Sequence, residues 1–467
     1  MLLQGKRRRK DRIIDVCNPY TGEVVAQIFS SDPADVEHAV EAASIGHNKL
    51  KKLSSGRKAE ILEKAAVIIE EKKEEFARTL TFEAGKTINE SRGEVGRCIN
   101  TLRLSATAAR ELRGETVNLD HAGQTGKVGF YQRVPIGICA AISPFNFPLN
   151  LVAHKLGPSI AAGNGIVLKP ATKTPLSGLM LAETLLEAGL PEEAITVLIG
   201  SGQEVGEPLV SHPDVRLVTF TGSLEVGKRI AHLAGLKRLV MELGSNSGAI
   251  IWKDADLKRA AKRIRVGGYA LAGQVCISVQ RVYVEKSVTA DFIHLFKTEV
   301  ERIKVGDPRL EDTEMGPMIS EEAARNAEGL VSEAVKAGAE LVTGGQREGT
   351  IFAPTILYNV PEGQRVIKEE AFAPIVVVNP IEDLNDGIRR MNDSIYGLQA
   401  GVYTNDLKVA FRCLEELEAG GVLVNEVPTF RVDNMPYGGV KGSGLGREGP
   451  RFAIEEHTEI KLMIIDR

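Results

Sequence analysis

Between Arg57 and Leu80 the apolar residues Ile61, Leu62, Ala65, Ile68, Ile69, Phe76 and Leu80 return at helical spacing, with lysines and glutamates in the intervals. Such a stripe turns one face toward a core and predicts a helix over 57–80. Beyond Pro135 the pattern changes. Short apolar runs at 136–142, 165–168, 195–199, 217–220, 238–241 and 249–252 alternate with helical segments. One of these, 176–188, stops at Gly189 and Pro191. Runs without polar alternation are buried on both faces, so the series predicts a parallel sheet covered by helices on each side. A second series from about 260 to 425 places strands at 282–284, 375–378, 400–403 and 422–424. The chain therefore reads as two α/β units in tandem. The polar stretch 115–133 ends in the alternation Val128, Phe130, Gln132 and predicts a hairpin. The glycine-dense tail 435–444 carries apolar and aromatic anchors and reads as an ordered loop.

At 467 residues the chain exceeds what one core holds, which agrees with two or three structural units. A formal charge of -4 gives no reason to expect nucleic acid as a partner. The basic run from Lys6 to Lys10 reads as a solvated terminal arm. No apolar run follows it as in a signal peptide, and no stretch approaches the ~20 apolar residues of a membrane span. The five cysteines are scattered with no CxxC pair, which argues against a disulfide framework and a zinc site and suits a reducing cytoplasm. Cys139 lies in an apolar run and reads as core, whereas Cys276 alone sits in a glycine-flanked segment, Gly273-Gln274-Val275-Cys276.

Four segments carry chemistry. A thiol such as Cys276, with a pKa near ~8.5, is only slightly ionised at neutral pH but attacks a carbonyl held against it. Asn146, in Pro144-Phe145-Asn146-Phe147-Pro148, has its backbone fixed on both sides, as a preorganised amide donor requires; it could equally bond its own turn. Glu242 follows a predicted strand and precedes Gly244, where partial desolvation would make it a general base, or it could be a surface charge. Phe220-Thr221-Gly222-Ser223 joins a strand to a helix, and Gly222 to Gly227 could hold a phosphate at the helix N-terminus or merely cap it. Lys169 adds a cation at the carboxyl end of the first sheet.

In this order the four segments resemble the aldehyde dehydrogenase superfamily. Further matches are Asn18-Pro19-Tyr20-Thr21-Gly22-Glu23, Glu369-Glu370-Ala371-Phe372-Ala373-Pro374, Asn392-Asp393-Ser394-Ile395-Tyr396-Gly397-Leu398 and Pro436-Tyr437-Gly438-Gly439-Val440-Lys441. The resemblance implies a fold of two doubly wound parallel-sheet domains plus a small bridging β hairpin. Its expected parts are a cofactor-binding domain (1–114 and 134–244), a catalytic domain (245–440) and a bridging, oligomerising element (115–133 and 450–467). It implies Cys276 as nucleophile, Asn146 with the Cys276 N–H as oxyanion donors, and Glu242 as the base that activates water. A thiohemiacetal gives up hydride to nicotinamide, and the resulting thioester is hydrolysed to a carboxylic acid. Lys169 and Glu370 match residues on the cofactor's riboses, and Gly222, Ser223 and Gly227 match its pyrophosphate turn. Leu243 and Phe372 fall within the same cofactor motifs.

Relatives that transfer the acyl group to coenzyme A typically lack a carboxylate at the position of Glu242, so water is the expected acceptor. Acylation of coenzyme A, or a non-catalytic structural protein on this fold, are the alternatives. The run Leu243-Gly244-Ser245-Asn246-Ser247 departs from the commoner Leu-Gly-Gly and leaves Ser245 without a role. Thr172 stands where relatives preferring NAD carry a glutamate, so the cofactor is NAD or NADP with the bar to a 2′-phosphate removed. Asn150 and His154 occupy tunnel positions that are bulky and apolar in relatives acting on apolar aldehydes. With Arg431 at the tunnel mouth and Tyr437 beside it, they imply a small, hydrophilic, anionic aldehyde. The chain looks especially similar to the lactaldehyde and sulfolactaldehyde dehydrogenase type. It implies a homodimer or homotetramer without a metal.

Overall fold

The computed structural model describes residues 2–121 and 126–466. Met1, Arg467 and residues 122–125 of the expected hairpin lie outside the described residues. Two large sheets form the scaffold. In the first, the parallel strands run in the order Ile195–Val197, Gly165–Lys169, Ile138–Ile142, Val215–Thr221, Arg238–Glu242. Strand order reverses about Ile138–Ile142, so a crevice opens at the carboxyl ends of this strand and Val215–Thr221, the switch point where doubly wound sheets bind ligands. The second sheet runs Glu340–Thr343, Thr355–Tyr358, Ile375–Ile381, Arg281–Glu285, Gly248–Ile251, Gln399–Tyr403, Gly421–Val424, parallel throughout except for its first strand. Buried strand patterns explain both sheets. Ile138–Ile142, Gly165–Lys169 and Gly248–Ile251 are buried at every position, the signature of strands covered on both faces.

Three expectations need correction. The helix expected over 57–80 is two helices, Ser55–Glu71 and Lys73–Ala84, because Lys72 leaves the helical basin at φ -98°, ψ 20°. The break lets both pieces pack on the long helix Ile88–Glu111, which starts with a capping box between Thr87 and Glu90. The basic run is not a free arm: Leu2–Leu3 and Lys6–Arg7 extend the first sheet antiparallel, and Arg7 pairs with Glu183 at 2.5 Å. The strands Glu340–Thr343 and Thr355–Tyr358 were not foreseen.

A third, smaller sheet joins Glu115–Val117, Lys127–Pro135 and Thr458–Asp466, with the last at its outer edge and Ile460, Leu462, Ile464 and Ile465 exposed there. Among the described residues, no helix is long and apolar enough to cross a membrane.

The connection into the second sheet is short. Arg238–Glu242 ends one sheet, and after five residues Gly248–Ile251 begins the other. The strand Arg281–Glu285 pairs with Gly248–Ile251, so the loop before it lies at the same seam. That loop carries Cys276. Its entry is tight: Leu271 and Ala272 hold positive φ (49° and 52°), and Gly273 follows at 70°. A side chain on Gly273 would overlap the Ala373 carbonyl. Gly273→Ala is therefore expected to cost about 3 kcal/mol from left-handed strain and overpacking together, read as a lower denaturant midpoint.

Candidate active site

The four chemistry-bearing segments meet at this seam. The Asn146 side chain donates from Nδ2 to the Gln274 carbonyl at 2.9 Å, and its Oδ1 accepts from the Phe147 N–H. Phe145 meets Phe372 edge-on with ring centroids 5.8 Å apart. Cys276, partly exposed, has its sulfur 3.1 Å from the Tyr437 hydroxyl. The tail that carries Tyr437 is pulled in because Gly444–Leu445 pairs antiparallel with Met241 and Glu242. A Cβ on Gly438 would sit 2.9 Å from Glu242 Oε1, so glycine there keeps room for the carboxylate. Glu242 is 2% exposed, and neither carboxylate oxygen has a hydrogen-bond partner among the described residues. A buried, unpaired carboxylate is costly to leave ionised, which gives it a strong appetite for a proton.

The charges follow from burial. Desolvation pushes the Cys276 thiol up to about 11, against the pull of the Tyr437 hydrogen bond and the Arg431 charge. Desolvation also holds Glu242 well above the usual carboxylate range, and the neighbouring Glu448 pushes in the same direction. Arg431 and Lys155 oppose both. Glu448 is itself buried, yet Lys155 (3.5 Å) and Arg431 (2.8 Å) hold it below the ordinary range. Two carboxylates and two basic side chains thus share one dry compartment, which pushes Glu242 toward its protonated form and Glu448 toward its ionised one.

The crevice on the first sheet suits a dinucleotide. Lys169 is buried and desolvation lowers it to about 8; its ammonium pairs with no carboxylate among the described residues. It lines a cavity of about 280 Å³ together with Ile142, Gly206, Glu207, Phe220 and Arg229. Gly222 bonds the Glu242 carbonyl, and Ser223 caps the helix Leu224–Ala234. Gly227 packs against Leu243 so closely that a Cβ would lie 2.6 Å from its Cδ2. Across the seam Glu370 is pushed up to about 7 by desolvation and accepts from the Ser245 N–H at 2.9 Å. Glu370 and Phe372 border a 10 Å³ cavity against Gly273 and Val275. A buried lysine and a buried carboxylate, each lining a cavity near the seam, have the chemistry to bind the ribose hydroxyls and phosphates of NAD or NADP. Thr172 presents no carboxylate, its hydroxyl donating to the Gly200 carbonyl. Ser245, unassigned in sequence, gives its N–H to Glu370, and its hydroxyl shares a hydrogen bond with that of Ser247.

The substrate candidates lie deeper than a tunnel lining. Asn150 and His154 are buried, and both bond Asp433 Oδ1, at 3.3 and 3.0 Å. Arg431 is no surface group either: its side chain is 7% exposed, stacked 3.7 Å from the Tyr437 ring centroid and 3.2 Å from His154 Nε2. Its Nε has no hydrogen-bond partner among the described residues. Arg97, 30% exposed, pairs with Asp433 at 2.8 Å. Sequence reading missed Lys86, Glu94, Arg97, Lys155, Asp433 and Glu448. One signal was available for two of them, Glu94 and Arg97: Thr87, Glu90, Glu94, Arg97 and Thr101 recur at helical spacing, a polar stripe on a helix that is otherwise anchored in a core.

Known proteins share this chain's pattern. The aldehyde dehydrogenase family matches residues 6–463. The chain is similar to the 3-sulfolactaldehyde dehydrogenase of Priestia aryabhattai, 46% identical over 455 residues that cover 97% of this chain and 95% of that one. It is 40% identical to the lactaldehyde dehydrogenase of Methanococcus maripaludis, over 100% of this chain and 99% of that one. Among solved structures, the glyceraldehyde-3-phosphate dehydrogenase of Methanocaldococcus jannaschii complexed with NADP matches with a TM-score of 0.95 at 39% identity, over 98% and 100% of the two chains.

The charge compartment gives paired pH predictions of opposite sign. If Glu242 must lose its proton for turnover, the acid limb of the pH–rate profile reports it. Glu448→Gln removes a repelling charge and frees Lys155 and Arg431, so the limb should move about one unit toward lower pH. Lys155→Met removes a stabilising cation, and the limb should move toward higher pH.

Proposed function

The chain belongs to the aldehyde dehydrogenase family, and from that premise we propose that it oxidises a small, polar, anionic aldehyde to its carboxylic acid with NAD or NADP. The observation that carries this reading is the meeting of Cys276, Asn146 and Glu242 at one seam. The thiol, held up to about 11, cannot attack as a standing thiolate, so addition and proton loss are coupled. Cys276 is partly exposed, so its proton passes to water as the sulfur bonds the carbonyl carbon. As the Cys276 sulfur adds to the aldehyde carbon, the N–H groups of Asn146 Nδ2 and the Cys276 backbone stabilise the oxyanion. When bound, the dinucleotide supplies the hydride acceptor that turns the thiohemiacetal into a thioester. Lys169, Glu370, Gly222, Ser223, Gly227, Leu243 and Phe372 are the residues that would hold it. Glu242, freed of its proton, then deprotonates a water that releases the acid. Retention of this carboxylate supports hydrolysis over transfer to coenzyme A.

Substrate preference rests on the cations. The unpartnered Nε of Arg431 and the half-exposed Arg97 offer donors to an anionic tail, with Asn150, His154 and Tyr437 fixing their positions. The relatives support a small polar aldehyde: their names specify a sulfonated, a hydroxylated and a phosphorylated one. The missing carboxylate at Thr172 and the NADP of the Methanocaldococcus relative support use of NADP. The working division remains a cofactor domain over 1–114 and 134–244, a catalytic domain over 245–440 and a bridge from 115–133 and 450–467. A homodimer or homotetramer is supported by the apolar outer strand Thr458–Asp466, and a cytoplasmic location by five free cysteines.

Short aldehydes with neutral, carboxylate, phosphate and sulfonate tails, assayed without coenzyme A, test the reaction. Free acid and reduced dinucleotide should form together, fastest with an anionic tail, and Cys276→Ala should abolish both. Equal rates on neutral and anionic tails would remove the anionic preference. Separately, Thr172→Glu should lower kcat/KM for NADP relative to NAD by about tenfold or more, because a carboxylate there repels a 2′-phosphate.

A further inference from the structure

Lys86 and Glu94 form an ion pair of 2.6 Å in which both side chains are wholly buried. Nothing in the reaction above uses them, and burying two charges demands many compensating contacts. The contacts lead to one place. Lys86 Nζ donates to the backbone carbonyl of Asn146 at 3.0 Å and lies 3.7 Å from the centroid of the Phe147 ring. The second oxygen of Glu94 accepts from the N–H groups of Leu149 and Asn150, at 2.9 and 3.0 Å, where the helix Asn150–Ala162 begins. The pair therefore clamps both ends of the segment 146–150, from the carbonyl of Asn146 to the first helical N–H groups.

The same helix reaches the other half of the site. Glu90, one turn before Glu94, accepts from the Leu271 N–H at 2.7 Å, where the strained entry to the Cys276 loop begins. Asn146 Nδ2 then bonds Gln274 of that loop. An amide donor has value in catalysis only when its N–H already points at the developing oxyanion, and here the backbone that aims it is fixed by charge-assisted bonds in a dry interior.

We propose that Lys86 and Glu94 are positioning residues that aim the Asn146 amide, a role that rests on the reading of Asn146 as the oxyanion donor. The test is a double-mutant cycle on the full enzyme with saturating aldehyde and dinucleotide. Lys86→Met should lower kcat about 10- to 100-fold, while KM for the dinucleotide stays within about twofold. In an Asn146→Ala background, the same Lys86→Met change should alter kcat by less than about twofold, because the amide it aims is gone. A merely structural role would lower kcat by the same factor in both backgrounds, and that result overturns the proposal. Glu94→Gln keeps acceptors for Leu149 and Asn150 and carries the same cycle should Lys86→Met fail to fold; thermal unfolding checks each variant. If Asn146→Ala alone leaves kcat unchanged, the oxyanion reading itself falls. If Asn146→Ala lowers kcat but the two changes multiply, that reading stands and the positioning role does not.

Discussion

One buried hydrogen bond, from the Asn146 amide to the Gln274 carbonyl, joins the loop that ends a strand of the first sheet to the loop that carries Cys276. Without it the two sheets could pack and still leave donor and nucleophile unrelated. The surroundings make that bond obligatory. Asn146 is 4% exposed, so its amide has little water to turn to, and an unmade bond would cost the full desolvation of the group. The glycines at 273 and 438 allow the backbone and the tail to close around the site at distances that a Cβ would forbid.

Closing the site this tightly sets its electrostatics. Exclusion of water raises both the Cys276 thiol and Glu242, so each holds its proton more tightly than it would in water. The cations that could ionise them are committed to Glu448, and Arg431 is further tied to Tyr437 and His154. The same arginine therefore touches the ring that holds the sulfur, the acid that controls Glu242 and the histidine beside Asp433. On the proposed reading, one buried guanidinium links recognition of an anionic substrate to control of the Glu242 proton.

The two sheets were legible in the sequence because strands buried on both faces must be apolar at every position, as in 138–142 and 248–251. The break at Lys72 was not, since Glu71, Lys72 and Lys73 are all good helix formers and the kink is chosen by packing on Ile88–Glu111. The motif residues Cys276, Asn146 and Glu242 could be singled out because glycine, proline and aromatic neighbours mark places where backbone is held. The supporting charges could not. Lys86, Glu94 and Glu448 stand beside glycines and other polar residues and look like solvated positions, Lys155 is a lysine in an apolar stretch, and only tertiary packing pairs them. Arg431 was visible as a cation near the tail motif, but its pairing with Glu448 depends on a fold of the tail that no local pattern records.

The central claim is that the acyl group rests on Cys276 and leaves by hydrolysis at Glu242. Glu242→Gln enzyme, mixed with aldehyde and dinucleotide and quenched after one turnover, tests this by peptide mass spectrometry. The account predicts a burst of one reduced dinucleotide per subunit and an acyl group on the peptide that contains Cys276. A burst with no adduct on that peptide, or an adduct on another cysteine, would contradict it.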